Sequence, residues 1–177
     1  AVYRNQIWMV RVLLENGADV NYVNTQSKSV LHIAAAVSDA QVVQALLRAG
    51  ANPLAKGNNG ATPLHDAVWE KNVEAVRALL PAYKNQNFNP DGERNGRPLI
   101  MAISNRNLPI VELFIEAGTD LRDSCFATMP PLAAAVATGD EKIARALLRA
   151  GADPDARDAR GKSARDYATI KMPNLFK

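Results

Sequence analysis

A pair of large apolar residues recurs along this chain at nearly constant spacing. Leu13-Leu14, Leu46-Leu47, Leu79-Leu80, Phe114-Ile115 and Leu147-Leu148 follow one another at intervals of 33, 33, 35 and 33 residues. Gly17, Gly50, Gly118 and Gly151 keep the same register. A second phrase recurs between these marks: SVLHIA at 29–34, TPLHDA at 62–67, RPLIMA at 97–102, PPLAAA at 130–135 and SARDYA at 163–168. A fixed period of this length marks a repeat array, in which one unit is too small to bury its own apolar face and neighbours supply the core. Within 57–91, Leu64, Ala67 and Val68 mark one short helix, and Val73, Val76, Leu79 and Leu80 mark a second at helical spacing. Thr62-Pro63 suits a helix start, because the hydroxyl caps free amides and proline at the first helical position has no donor to waste. The recurring glycines suit the residue after a helix end, where a left-handed backbone is needed.

The phrase TPLHDA, with a later leucine pair and Gly-Ala-Asp or a relative of it, resembles the ankyrin repeat, and the register extends over essentially the whole chain. The fold expected is all-α: a solenoid of stacked helix-turn-helix units joined by β-hairpin-like loops, in one array over 1–177. Its units run at about 1–23 (partial), 24–56, 57–91, 92–124, 125–157 and 158–177, the last a C-terminal cap in which Arg165 and Asp166 replace apolar partners. Two departures stand out. The chain starts mid-unit, so the helix expected at 7–15 has an uncovered side, and residues before Ala1 are expected in the native protein unless this is a trimmed fragment. Trp8 fits that expectation, since it shares a column with Gln41, Glu74, Pro109 and Lys142; a lone surface tryptophan reads equally well. In 57–91 the usual Gly-Ala-Asp gives way to a longer stretch from Tyr83 to Asn87, with two residues inserted in what reads as a surface loop.

Several functions are disfavoured by composition. At 177 residues and 47% hydrophobic content the chain is too apolar to be disordered. No run of eighteen uncharged apolar residues offers a membrane span, and the first residues lack the pattern of a signal peptide. The net charge of +3 comes from 21 basic and 18 acidic residues that alternate rather than cluster, against the basic stripe of a nucleic-acid binder. A single cysteine, Cys125, fits a reducing compartment, so a cytoplasmic location is expected, with secretion through a signal removed before residue 1 left open.

Nor do the reactive side chains converge. His32 and His65 occupy equivalent places in adjacent units, about 8–10 Å apart by helix packing, too far for one zinc ion at about 2 Å per ligand. The resemblance implies instead that each tethers neighbouring hairpins through backbone hydrogen bonds. Cys125 falls in an expected hairpin with no histidine assigned nearby, which favours an inert thiol. Gly57 to Gly60 lacks the lysine and preceding strand of a phosphate loop and reads as a turn. Asp153 and Asp155 repeat hairpin positions held elsewhere by Asp19 and Asn52. No catalytic residue, metal site, cofactor or small-molecule substrate is expected.

The resemblance implies a surface of hairpin tips and first-helix faces that binds a partner protein, whose identity the residues do not specify. Register places the tips at Thr25, Gln26 and Lys28, then at Asn58, Asn59 and Ala61, with Glu93, Arg94 and Arg97 as equivalents. On the first helices, Tyr3 and Trp69 share one column and Ile33, Asp66 and Met101 the column one turn earlier. Trp69 is expected to be an interface anchor, because Leu64, Ala67 and Val68 already fill the core positions of its helix; burial against the adjacent hairpin is the competing expectation. Two other functions stay open: an inhibitory or immunity subunit that blocks a partner enzyme such as a bacterial toxin or effector, and a segment of a larger enzyme or channel.

Overall fold

The structure is a computed structural model that describes residues 1–4, 6–83, 98–121 and 129–176. Ten helices lie among them: α1 Ile7–Glu15, α2 Val30–Val37, α3 Ala40–Arg48, α4 Pro63–Trp69, α5 Val73–Leu79, α6 Pro98–Ser104, α7 Leu108–Glu116, α8 Pro131–Thr138, α9 Glu141–Arg149 and α10 Ala164–Lys171. Short 3-10 turns occupy Val2–Arg4 and Leu80–Tyr83. No strand forms among the described residues; isolated antiparallel bridges, Val23 with Ser29 and Arg157 with Ser163, are the hairpin-like parts. The all-α expectation therefore holds for the described residues.

The chain divides into two compact units, Ala1–Pro98 and Leu99–Lys177, at a boundary that falls within the one repeat interval of 35 residues. In the first, α2 packs on α4, α1 on α3 and α3 on α5, so first helices meet first helices and second helices meet second helices. In the second, α8 packs on α10 and α7 on α9 in the same manner. The leucine-pair column shows why. Leu46, Leu79, Phe114 and Leu147 have at most 1% of their surface exposed, and for Leu46 the cover comes from α1 on one side of α3 and α5 on the other. Leu13, in the same column on α1, is 49% exposed.

Local chemistry sets the helix ends. Asp39, Asn72, Asn107 and Asp140 cap the second helices, each side chain accepting backbone N–H groups of the first turn. At the other end Gly50 stands at φ 89°, past α3, as the C-terminal cap requires. The turn between the two helices of a unit also needs a positive φ: Gly139 supplies it after α8, whereas Lys71 at 59° and Arg106 at 52° adopt it against their own side chains. After α5 no glycine follows; the chain tightens into the turn Leu80–Tyr83, and Tyr83 is buried.

Candidate functional site

Two hairpins, 24–29 and 57–62, and the first helices α2 and α4 carry most of the expected binding residues of the first unit. Their geometry is set by buried polar contacts. His32 is fully buried. Its Nδ1 accepts from the Ser29 amide at 3.1 Å, which leaves the proton on Nε2, and Nε2 donates to the Ala61 carbonyl at 3.0 Å. One ring thus caps its own helix and ties it to the next hairpin, the tether that the resemblance implied. Burial lowers its pKa below the usual histidine value, opposed by the bond to Ala61. His65 repeats the local half, its Nδ1 accepting from the Thr62 amide at 3.1 Å. In the last unit Asp166 takes the histidine's place, accepting from the Ser163 amide at 2.8 Å and hydroxyl at 3.0 Å. A carboxylate serves the local cap, and its short side chain does not reach outward as an imidazole does.

Neighbouring units in the first half are also stitched elsewhere. The Asn58 amide donates to the Gln26 carbonyl at 3.3 Å, linking one tip to the next. Asn72 Nδ2 donates to the carbonyls of Ala35 at 3.1 Å and Ser38 at 2.7 Å. The Asn52 amide donates to Asn21 Oδ1 at 2.9 Å. These bonds make the tips and first helices a supported surface rather than a set of free loops.

Thr25, Gln26, Asn58 and Asn59 are exposed at the tips, as register expects, and Ile33 is half-buried on α2. Ala61, expected at the second tip, is instead buried at its base, where its carbonyl accepts from His32 Nε2 and the Gly57 amide. Lys28 and Asp66 prove to be partners of one another: Nζ lies 3.0 Å from both carboxylate oxygens, joining the first hairpin to α4. Such a part-exposed pair contributes roughly 1 kcal/mol or less to stability, so it fixes position more than it holds the fold. Trp69 lies three residues beyond Asp66 on the same helix face and is 67% exposed. The competing expectation, burial of Trp69 against a hairpin, is thereby overturned. Val37 was not singled out in the sequence, yet it is 49% exposed at the end of α2, four residues after Ile33 and on the same face.

Tyr3 lies in the turn Val2–Arg4, and Met101 is half-buried on α6, in the second unit. Glu93, Arg94 and Arg97 lie outside the described residues, as does Cys125. Trp8, on α1, is 61% exposed as its column implied. In the second unit a surface recess is lined by Arg106, Glu141, Lys142 and Arg145, where Arg106 donates to the Thr138 carbonyl and Arg145 pairs with Glu141. Asp155 likewise pairs with Arg165 at 3.0 Å and accounts for itself structurally. Among the described residues no group of three or more metal-ligating side chains comes together, and no helix is long and apolar enough to cross a membrane.

Similarity to known proteins agrees with this geometry. The chain is 30% identical over 159 residues to the nuclear factor NF-kappa-B p105 subunit of Gallus gallus, covering 87% of this chain and 16% of that protein. It is 33% identical over 134 residues to the E3 ubiquitin-protein ligase KEG of Arabidopsis thaliana, covering 72% of this chain and 8% of the relative. The chain thus spans a small part of either protein. Among solved structures it superposes on the ankyrin repeat domain of Bcl-3, described as a unique member of the IkappaB protein family, with a TM-score of 0.81 and 25% identity, over 95% of this chain and 77% of that one. A family model for ankyrin repeats in three copies matches residues 1–92 and 82–158, and this chain belongs to the ankyrin repeat family.

Proposed function

We propose that this chain is a non-catalytic recognition module that holds a partner protein against the first helices and hairpin tips of its first unit. The observation that carries this reading is Trp69. Its helix is locked by Leu64, His65, Ala67 and Val68, all buried, while the indole itself is 67% exposed, one turn from Asp66 of the Lys28–Asp66 pair and on the helix that packs against α2, which carries Ile33 and Val37. A large aromatic held on a rigid element with polar groups around it has the makings of an interface anchor. The neutral tips Thr25, Gln26, Asn58 and Asn59 supply hydrogen-bonding groups at its rim. Similarity to an IkappaB-family domain supports a protein as the ligand.

The second reading, a recognition segment within a larger enzyme, is favoured by the match to a ubiquitin ligase of which this chain covers 8%. It leaves the binding face unchanged.

Trp69 and Trp8 have similar exposure, 67% and 61%, but Trp69 stands on a first helix and Trp8 on a second. The test is to capture a partner with the wild-type chain and titrate it against Trp69→Ala and Trp8→Ala. Loss of an anchor of about 2 kcal/mol should weaken binding about 30-fold for Trp69→Ala, with little change for Trp8→Ala. The opposite order would move the site to the second-helix face and end this reading.

A further inference from the structure

The departure at Tyr83 is not absorbed by the binding face as described so far. In the leucine-pair register Tyr83 stands where Gly50 stands one unit earlier, so a glycine column has acquired a large polar-tipped side chain. That side chain is 2% exposed and turns back under the second hairpin. Its hydroxyl donates to the Pro53 carbonyl at 2.5 Å and lies 3.0 Å from the Thr62 hydroxyl. Thr62 is the base of the hairpin: its amide donates to His65 Nδ1, and the carbonyl of its neighbour Ala61 receives both Nε2 of His32 and the Gly57 amide. The exposed tip, Asn58 and Asn59, hangs from this base. The first hairpin has the His32 and Ser29 contacts too, but Gly50 has no side chain to offer the Ser29 hydroxyl.

We infer that Tyr83 is a positioning residue for the Asn58–Asn59 tip, its phenol oxygen holding the hairpin 57–62 in its binding geometry from beneath. The link to binding rests on the recognition reading above; the positioning itself is measured without any partner. Phenylalanine fills the same space and lacks only the oxygen, so Tyr83→Phe separates the hydrogen bonds from the packing. Residue-resolved amide hydrogen exchange on the free chain reads the outcome. The amides of Gly57, Ala61 and Thr62 should exchange roughly tenfold faster, as expected for one lost hydrogen bond of ordinary net strength. Those of Asn24 and Ser29 in the first hairpin should keep their rates, and Thr62→Ser, which retains the hydroxyl, should behave as wild type. Unchanged rates at 57–62 would overturn the assignment. So would faster exchange throughout the first unit, because Tyr83 would then be a general support. A tip freed by Tyr83→Phe with no change in partner affinity would instead count against the binding face and leave the positioning role standing.

Discussion

Replacing Leu46 by aspartate puts a carboxylate at a place where 1% of the side chain meets water and both sides are covered by neighbouring helices. Two costs add. Removing the leucine forfeits roughly 1.5–3 kcal/mol of burial free energy. The carboxylate, with no partner in an apolar layer, must protonate to remain there, and each pKa unit of that shift costs about 1.4 kcal/mol at neutral pH. Together these reach about 4 kcal/mol or more. Leu13 offers the internal control: it holds the same register but is 49% exposed, so Leu13→Asp forfeits about half the burial and leaves its charge in water, roughly 1 kcal/mol. Urea denaturation followed by circular dichroism measures both. With a slope of about 1–3 kcal/mol per molar urea, Leu46→Asp should lower the midpoint by about 2 M and Leu13→Asp by about 0.5 M. Equal midpoints for the two variants would refute the stacking, since identical register would then carry no difference in burial.

Protonation of His32 is disfavoured by the fold, because burial lowers its pKa below 6.5 while the unfolded chain keeps the ordinary value. The unfolded state then binds more protons, so this contribution is complete above about pH 6.5 and is lost as pH falls below that value toward the folded pKa. Urea midpoints from pH 8 to pH 5 should fall for wild type and fall less steeply for His32→Gln; identical slopes would contradict the buried neutral tether. Lys71 adopts φ 59° where the equivalent turn after α8 uses Gly139. Lys71→Gly should therefore stabilise the chain by about 0.5–1 kcal/mol after the greater entropy of unfolded glycine is counted, and a loss of stability would show that the lysine is not strained.

Much of the fold was legible because the signals were periodic or steric. The helix expected at 7–15 is α1, and Thr62-Pro63 starts α4, since a hydroxyl cap and a donor-free proline leave few other conformations. The exposure of Trp69 followed by elimination, its helix's core positions being filled by Leu64, Ala67 and Val68. What stayed hidden depends on contacts between residues far apart in sequence. Lys28 and Asp66 were read as two separate tip and helix positions, and nothing local announces that residues 38 apart form one ion pair. Tyr83 was visible only as a missing glycine; whether it points out or under depends on the Pro53 carbonyl and Thr62 hydroxyl waiting for it. The capping column Asp39, Asn72, Asn107 and Asp140 had a usable signal, an acid or amide just ahead of each second helix. The division at Pro98 had a weaker signal, the one repeat interval of 35 residues, which read only as an insertion in a surface loop.

Hydrogen exchange of the chain with and without a captured partner tests the location of the binding face most directly. If the first unit recognises proteins as proposed, binding should slow exchange in the hairpins 24–29 and 57–62 and at the ends of α2 and α4 around Val37 and Trp69, with α3 and α5 unaffected. Protection concentrated instead on the exposed faces of α3 and α5, with the two hairpins and Trp69 unchanged, would contradict it.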